Sequence, residues 1–509
     1  MASDDTDHHG TDIWNDLTQG YIPPDHPDVH PDLSLSREYE HDLDITTYEV
    51  LRHRLYTINY EHGETVTQIS GSPVVYYAQD FNPSILTEEG EIVFGGPYID
   101  FFTPMAEPIV KWMLENYSGG SPGIEPGDVF LNNDPWIGAA HQSDVSLCMP
   151  VFHEDELFCW LIDTLHQYDV GGEPPGSFCP NADDIYDDPT PIPPIKIVEN
   201  DEVREDLKLM YLRHSRMPDM VSLDFGAQLA ALRDTRDRIK SLMTEYGHET
   251  IKGAMQQVID DSEKAYLERI QEIPDGTWRS KGYETGPKVG GTKQHLAAVT
   301  LTKEGDTLTF STEGTDPSEG VVNLPYANFR AAISTVFNPL MLYDQLWVPS
   351  GAYRHIEIEP NPGSRYHAEH PSAVSASSSQ TMHHALSQIQ DVATRMLYAS
   401  EAGREDIISD MSNGTASVSQ AGIDQWGNEF GTINLDVMGT AFPARTDKDG
   451  VDAGGHLLSP KGFVPNIEEN EQDYPILYLN RTPATDAGGH GKFRGGAGLE
   501  VTWISHNTG

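Results

Sequence analysis

Apolar and polar positions change period several times along the chain, and each change marks an element. Tyr48, Leu51, Leu55 and Ile58 recur at helical spacing, so a helix is expected from about Asp44 or Thr46. Residues 1–45 before it are polar and unperiodic and carry Pro23, Pro24, Pro27 and Pro31, which predicts an extended arm. Short strand-like runs follow at 73–78 and 85–86, then at 92–94 beyond a turn at Glu89-Gly90. Residues 108–117 return to helical spacing. Val129-Phe130-Leu131 is a short strand that delivers Asn133 and Asp134 to a loop. The runs 145–151 and 157–165 predict two strands paired across His153-Glu154-Asp155-Glu156.

From 203 to 272 the pattern is helical. One stripe, Leu229, Leu232, Ile239, Leu242 and Met243, stops at Gly247, a natural place for a helix to end. A second, Ile251, Ala254, Val258, Ile259, Tyr266 and Ile270, ends at Pro274-Asp275-Gly276. Such stripes are core faces. Strands return after Thr277, with the clearest hairpin at 296–301 and 307–311 around Glu304-Gly305-Asp306. Residues 360–379 form a Pro-, His- and Ser-rich loop, expected at the surface. A helix is expected over 380–399, and 410–509 is rich in Gly, Asp and Asn with few long elements. No internal repeat is visible. The pattern predicts a mixed α+β protein of joined subdomains: an acidic arm (1–45), an α+β region (46–202), a helical region (203–275) and a mainly β and loop-rich region (276–509).

The chain's 509 residues exceed the roughly 250–300 that a single core serves, in keeping with several subdomains. No run reaches the roughly 18 apolar residues of a membrane helix, and the acidic N-terminus lacks the apolar core of a secretory signal. A formal charge of −48 makes nucleic acid and anionic membranes poor partners. The acids are spread along the whole chain and arginine outnumbers lysine. A salt-adapted, halophilic surface fits that spread better than one acidic binding face, and predicts loss of structure in low salt. Three cysteines, none in a Cys-x-x-Cys pair, make no disulfide framework and point to a cytoplasmic protein. Cys179 alone is near the candidate chemistry, where an inert buried thiol is the commoner case.

That chemistry lies around residue 150. His141 and Asp144 form one His-x-x-Asp pair, His166 and Asp169 another, at the two ends of the predicted hairpin. Two imidazoles and one or two carboxylates suit manganese, iron or zinc with positions left open for reaction. Residues three apart on a strand face opposite sides, so a shared ion requires a turn or bulge at each pair. Structural Asp–His hydrogen bonds explain the same residues without an ion. Asp80, Asp134 and Asp316 are further candidate acids, with turn and capping roles as the plainer account. The Gly-rich run 488–498 has Phe493 where a Walker A loop needs Ser or Thr, so nucleotide binding by a P-loop is excluded, though Lys492 or Arg494 remains an option for anion contact. The absence of Gly-x-Ser-x-Gly and His-Glu-x-x-His argues against serine hydrolases and zincins.

Together these residues resemble a known family. Asp80-Phe81-Asn82, Asn132-Asn133-Asp134-Pro135, His141-x-x-Asp144, His166-x-x-Asp169-Val170-Gly171-Gly172, Pro175-Gly176-Ser177, Ile192-Pro193-Pro194-Ile195-Lys196 and Gly314-Thr315-Asp316-Pro317 resemble the hydantoinase B/oxoprolinase family, from about Glu49 onward. The resemblance implies a hydantoinase B-like α+β fold and a divalent metal, manganese or zinc, on His141, Asp144 and His166. It implies catalytic carboxylates at Asp134, as base or supporting acid, and at Asp169, as fourth ligand or as a group orienting a ligand histidine. It further implies an actin-like ATPase partner of the A type, which uses ATP to phosphorylate a carbonyl substrate. The chain's own reaction would be carboxylation of a ketone with bicarbonate, as in acetone and acetophenone carboxylases. Hydrolysis of a cyclic amide, as in N-methylhydantoinases and 5-oxoprolinases, and a non-catalytic scaffold role remain alternatives. The resemblance also leads one to expect more chain after Gly509.

Overall fold

The computed structural model describes residues 20–286, 291–346, 348–405, 407–409 and 418–508. The fold is mixed α+β, built on two sheets, each with helices packed against it. The larger sheet contains β1 (Phe81–Thr87), β2 (Ile92–Gly95), β3 (Val129–Asn132), β4 (Asp144–His153), β5 (Glu156–His166), β6 (Ile195–Glu199) and β7 (Glu202–Val203). Its order is β2-β1-β5-β4-β3-β6-β7, antiparallel throughout, with β5 and β4 near the centre.

Successive residues of β4 serve two cores. Val145, Leu147, Met149 and Val151 pack with Leu51, Leu55, Leu232 and Ile259. Cys148 on the other face joins Ile162, Phe130, Ile109 and Met113. Burial of both faces is why these strands read as continuous apolar runs. The first core brings together α1 (Ile45–Ile69), α4 (Pro218–Tyr246) and α5 (His248–Ile270), so it runs across residue 202. Asp44 caps α1, its carboxylate accepting from the Thr46 and Thr47 N–H groups. The second core lies under α2 (Thr103–Tyr117). A short α3 (Glu205–Arg213) precedes α4, and Gly247, at a φ of 89°, separates α4 from α5.

The smaller sheet has the order β11-β10-β9-β8 over β8 (Gly276–Thr285), β9 (Gln294–Glu304), β10 (Thr307–Ser311) and β11 (Ile356–Glu359). It packs on α6 (Tyr326–Met341) and α7 (Met382–Tyr398) through Leu301, Phe310, Phe337 and Ile389. Two hairpins follow, Val418–Ile423 with Glu429–Asn434 and Ile476–Pro483 with Leu499–Ser505. Among the described residues no helix is long and apolar enough to cross a membrane.

Two sequence expectations need correction. The run 73–78 is not a strand but a π-helical turn, Val74–Ala78, with Val74, Val75 and Ala78 buried and Tyr76 exposed. The 360–379 loop is largely interior: Arg365 and His367 are buried, because Leu324 bonds this segment's backbone at Arg365 and Ala368. Described residues 20–43 contain no helix, and Ser34 and Ser36 bond to Leu157 at the start of β5. The paired histidines 8 and 9 and residues 287–290 lie outside the described residues.

Candidate metal centre

The register of β4 and β5 builds the centre. Asp144, the first residue of β4, sits directly opposite His166, the last of β5. Near the hairpin turn His153 faces Glu156 and Phe152 faces Leu157, whereas Val151 faces Cys159. Phe158 is thus an extra residue, a bulge that shifts all later pairs by one. Were Phe158 paired regularly with Val151, Asp144 would face Leu165, and His166 would fall one position out of register. The third member arrives by a turn: the Asp144 N–H donates to the His141 carbonyl at 3.0 Å. A turn is therefore needed only at His141; the other approach is made across the strands.

The three side chains converge in a buried site. Asp144 Oδ1 is 3.1 Å from His166 Nδ1, and Oδ2 is 3.7 Å from His141 Nδ1. The imidazole centroids are 5.0 Å apart, near-perpendicular. One candidate ligand atom from each residue lies within 4.8 Å of the others. The Ser143 N–H donates to His141 Nδ1 at 3.0 Å. Asp144 Oδ2 and His166 Nε2 are buried without a hydrogen-bond partner. Orphaned buried acceptors are costly, and a cation would satisfy them. The donor set of two imidazoles and one carboxylate fits a divalent transition metal.

Asp80 borders the cluster. Its carbonyl accepts the His166 N–H at 2.9 Å, and its Oδ2 is 4.0 Å from His166 Nδ1. Burial pushes its carboxyl up to about 7; His166 opposes the shift and the Asp144 charge adds to it. Burial drives His141 down to about 4. For His166 burial acts downward too, but the Asp144 hydrogen bond and the charges of Asp80 and Asp144 outweigh it and raise the ring. Phe178 covers both imidazoles, stacked on His166 at 6.1 Å and edge-on to His141 at 5.6 Å.

The structure does not bring the other expected carboxylates into this cluster. Asp169 turns away: Oδ1 accepts the Gly171 and Arg216 N–H groups, and Oδ2 accepts the Gly176 N–H and Arg216 Nη1. Asp134 holds its own loop, its carboxylate accepting the Trp136 N–H and its carbonyl those of Ile137, Gly138 and Ala139. Burial pushes its carboxyl up to about 6. Asp316 accepts the Leu296 N–H. The Cys179 thiol, pushed up to about 11 by burial, packs with Ala182, Val321 and Val322. The Gly-rich run leads into a strand, Leu499–Ser505; Arg494 pairs with Asp452, and Lys492 rests over the Phe493 ring.

Asp80, Asp144 and His166 open on a cavity of about 100 Å³. Val74, Ile99, Phe101, Leu435, Met438 and Leu458 make most of its wall apolar, with Ser378, Ser379, His383 and His456 as further polar groups. Sequence reading missed these four residues and Phe178. No short spacing links them to the metal pairs, and only the chain order around Cys179 hinted at Phe178.

Comparison with known proteins places the chain. The model of the hydantoinase B/oxoprolinase family matches residues 44–508, and the chain belongs to that family. It is 29% identical over 444 residues to the acetophenone carboxylase delta subunit of Aromatoleum aromaticum, covering 84% of this chain and 62% of that subunit. It is 26% identical over 477 residues to the beta subunit of the caprolactamase of Pseudomonas jessenii, covering 91% and 79%. The structure superposes on nucleotide-free acetone carboxylase with a TM-score of 0.85 at 22% identity, covering 91% of this chain and 62% of the other. For the ATP-dependent caprolactamase of Pseudomonas jessenii the TM-score is 0.80 at 23% identity, covering 91% and 79%. The likeness to these two structures is one of fold.

Proposed function

We propose that this member of the hydantoinase B/oxoprolinase family is the metal-bearing subunit of an ATP-dependent enzyme that carboxylates a ketone. The observation that carries the proposal is the buried His141–Asp144–His166 cluster, with Asp144 Oδ2 and His166 Nε2 unpartnered, at the edge of a mostly apolar cavity. His141, Asp144 and His166 would hold the ion, manganese or zinc, whose chemistry is Lewis-acid polarisation of the substrate oxygen and orientation of the reactants. The chain's own residues supply the rest. Phe178 and the apolar wall shield the ion side of the cavity from bulk water. Asp80, beside His166 on the cavity, is placed to pass a proton. No lysine or arginine lines the cavity among the described residues, so the pocket suits an uncharged carbonyl compound.

The sequence carries no P-loop, so nucleotide chemistry is assigned to a partner, an ATPase subunit of actin-like fold that phosphorylates the substrate oxygen. Bicarbonate is the one-carbon donor in this reading. Asp169 and Asp134 act by fixing the loops around the site. The spread acidic surface fits a high-salt cytoplasm. A second reading, hydrolysis of a cyclic amide, draws support from the caprolactamase likeness and uses the same pocket, which suits an uncharged amide as well.

The test is turnover in the complex reconstituted with the ATPase subunit, ATP, bicarbonate and a series of ketones. His166→Ala is expected to lower turnover at least about 1,000-fold, as loss of a metal-held oxyanion site does. Undiminished turnover in that variant would overturn the assignment. Ring opening of a cyclic amide by the chain alone, without ATP, would overturn the two-subunit reading.

A further inference from the structure

Two more imidazoles line the cavity. His383 is in the first turn of α7, and His456 is in the loop between the Leu435–Gly439 turn and the helix Ile467–Asp473. Both line the cavity that Asp80, Asp144 and His166 open on, with 7% and 5% of their surface exposed. Their centroids are 5.7 Å apart, the rings tilted by 53°.

His456 has a defined tautomer. Its Nε2 lies 3.0 Å from the Val437 carbonyl oxygen. A carbonyl only accepts, so Nε2 carries the hydrogen, and the neutral ring has its lone pair on Nδ1. Burial favours the neutral ring, against the pull of the Val437 bond, and drives His383 down to about 3 with His456 adding to the effect. Nδ1 of each ring is buried without a hydrogen-bond partner. The fold thus keeps an oriented nitrogen base, buried and unpartnered, on a residue that lines the cavity.

We propose that His456 is the base of the site, with Nδ1 as the accepting atom, and that His383 is a positioning residue that holds the substrate against it. This rests on the ketone reading above. With the ketone oxygen toward the His141–Asp144–His166 end, the adjacent carbon turns to the histidine wall. The α C–H bond breaks and its proton passes to His456 Nδ1. The electron pair forms the C=C bond of the enolate, with the negative charge on oxygen. The imidazolium then donates from both nitrogens, and its bond to the Val437 oxygen tightens because the donor is now charged. The proton leaves Nδ1 to water, and the enolate carbon is the nucleophile.

His456→Gln separates this role from a structural one: the amide still offers a donor to the Val437 oxygen but has no basic nitrogen. The probe is acetone in D2O with the complex reconstituted with the ATPase subunit and ATP in high salt, bicarbonate left out, read by 1H NMR as deuterium entering the methyl groups. Wild type is expected to exchange, and His456→Gln to slow exchange at least about 100-fold, within the range of general-base catalysis. Metal content and melting temperature should stay unchanged in that variant. His383→Asn should raise the acetone concentration for half-maximal rate more than it lowers the maximal rate. Long-range 1H–15N spectra of the 15N-histidine chain should show His456 with a bare Nδ1. Exchange in His456→Gln within about threefold of wild type, or His456 carrying its hydrogen on Nδ1, would overturn the base assignment and leave the ketone reading standing. No exchange by the wild-type complex would likewise overturn the base assignment, and leaves the ketone reading to the turnover test of the reconstituted complex.

Discussion

The two walls of the cavity are built in opposite ways. Asp144 and His166 sit on facing positions of β4 and β5, inside a sheet with strands on both sides. The other wall is irregular: Ser378 and Ser379 in the π-helical turn Ser377–Thr381, Leu435 and Met438 in a 3-10 turn, and His456 in a loop. Ion binding requires ligand atoms held to within about half an ångström, which a strand ladder provides. A wall that shapes the substrate does not need such rigidity, and loops can change without disturbing the sheet. In this reading ion binding belongs to the strand wall and substrate shaping to the loop wall.

The sharpest way to break this comparison is at Asp169, which ties down the loop between the two walls. Asp169→Ala removes four hydrogen bonds to a buried carboxylate, one of them from the Arg216 guanidinium. A loss of about 3 kcal/mol is expected on chemical denaturation in high salt, with metal content per folded chain unchanged. Metal loss at unchanged stability would move Asp169 into the ligand set.

A smaller effect probes the strand wall from behind. Asp224 on α4 is buried, and its carboxyl is pushed up to about 7 by burial, against the Ser70 hydrogen bond and with the Asp163 charge adding. A raised carboxyl binds its proton more tightly in the folded state than in the unfolded one. Its stabilising contribution is full below the ordinary value of 3.8 and is lost as pH rises through about 7. Asp224→Asn removes that dependence, so the variant should gain on the order of 2 kcal/mol over wild type at pH 8 and little at pH 4. A gain independent of pH would contradict the cause given. Smallest is Phe178→Leu, where the loop wall touches the ligand rings: about 1 kcal/mol, read as a few-fold weaker metal affinity in a chelator competition.

The sequence is most legible where side chains repeat. The stripes 229–243 and 251–270 follow from helical periodicity and the strands 145–151 and 157–165 from continuous apolar runs, and two His-x-x-Asp pairs mark the neighbourhood of the centre. The partnership of Asp144 with His166 is not legible, because it depends on the single extra residue at Phe158. Periodicity gives a strand but not its register, and one residue reverses every side chain beyond a bulge. The run 73–78 misleads because a short apolar stretch fits a buried strand and a buried helical turn equally. His383 and His456 share no spacing with each other or with the pairs at 141 and 166. Only the packing of α7 and the C-terminal loops onto the sheet puts them at one cavity.

The central claim is that the strand wall holds a metal ion and the loop wall does not. Plasma mass spectrometry on protein purified in high salt tests it, for wild type, His141→Ala/His166→Ala and His456→Gln. The account predicts near-stoichiometric manganese or zinc in wild type and His456→Gln, and almost none in the double variant with its melting transition still cooperative. Well-folded wild type without metal, or a double variant that retains it, would contradict the account.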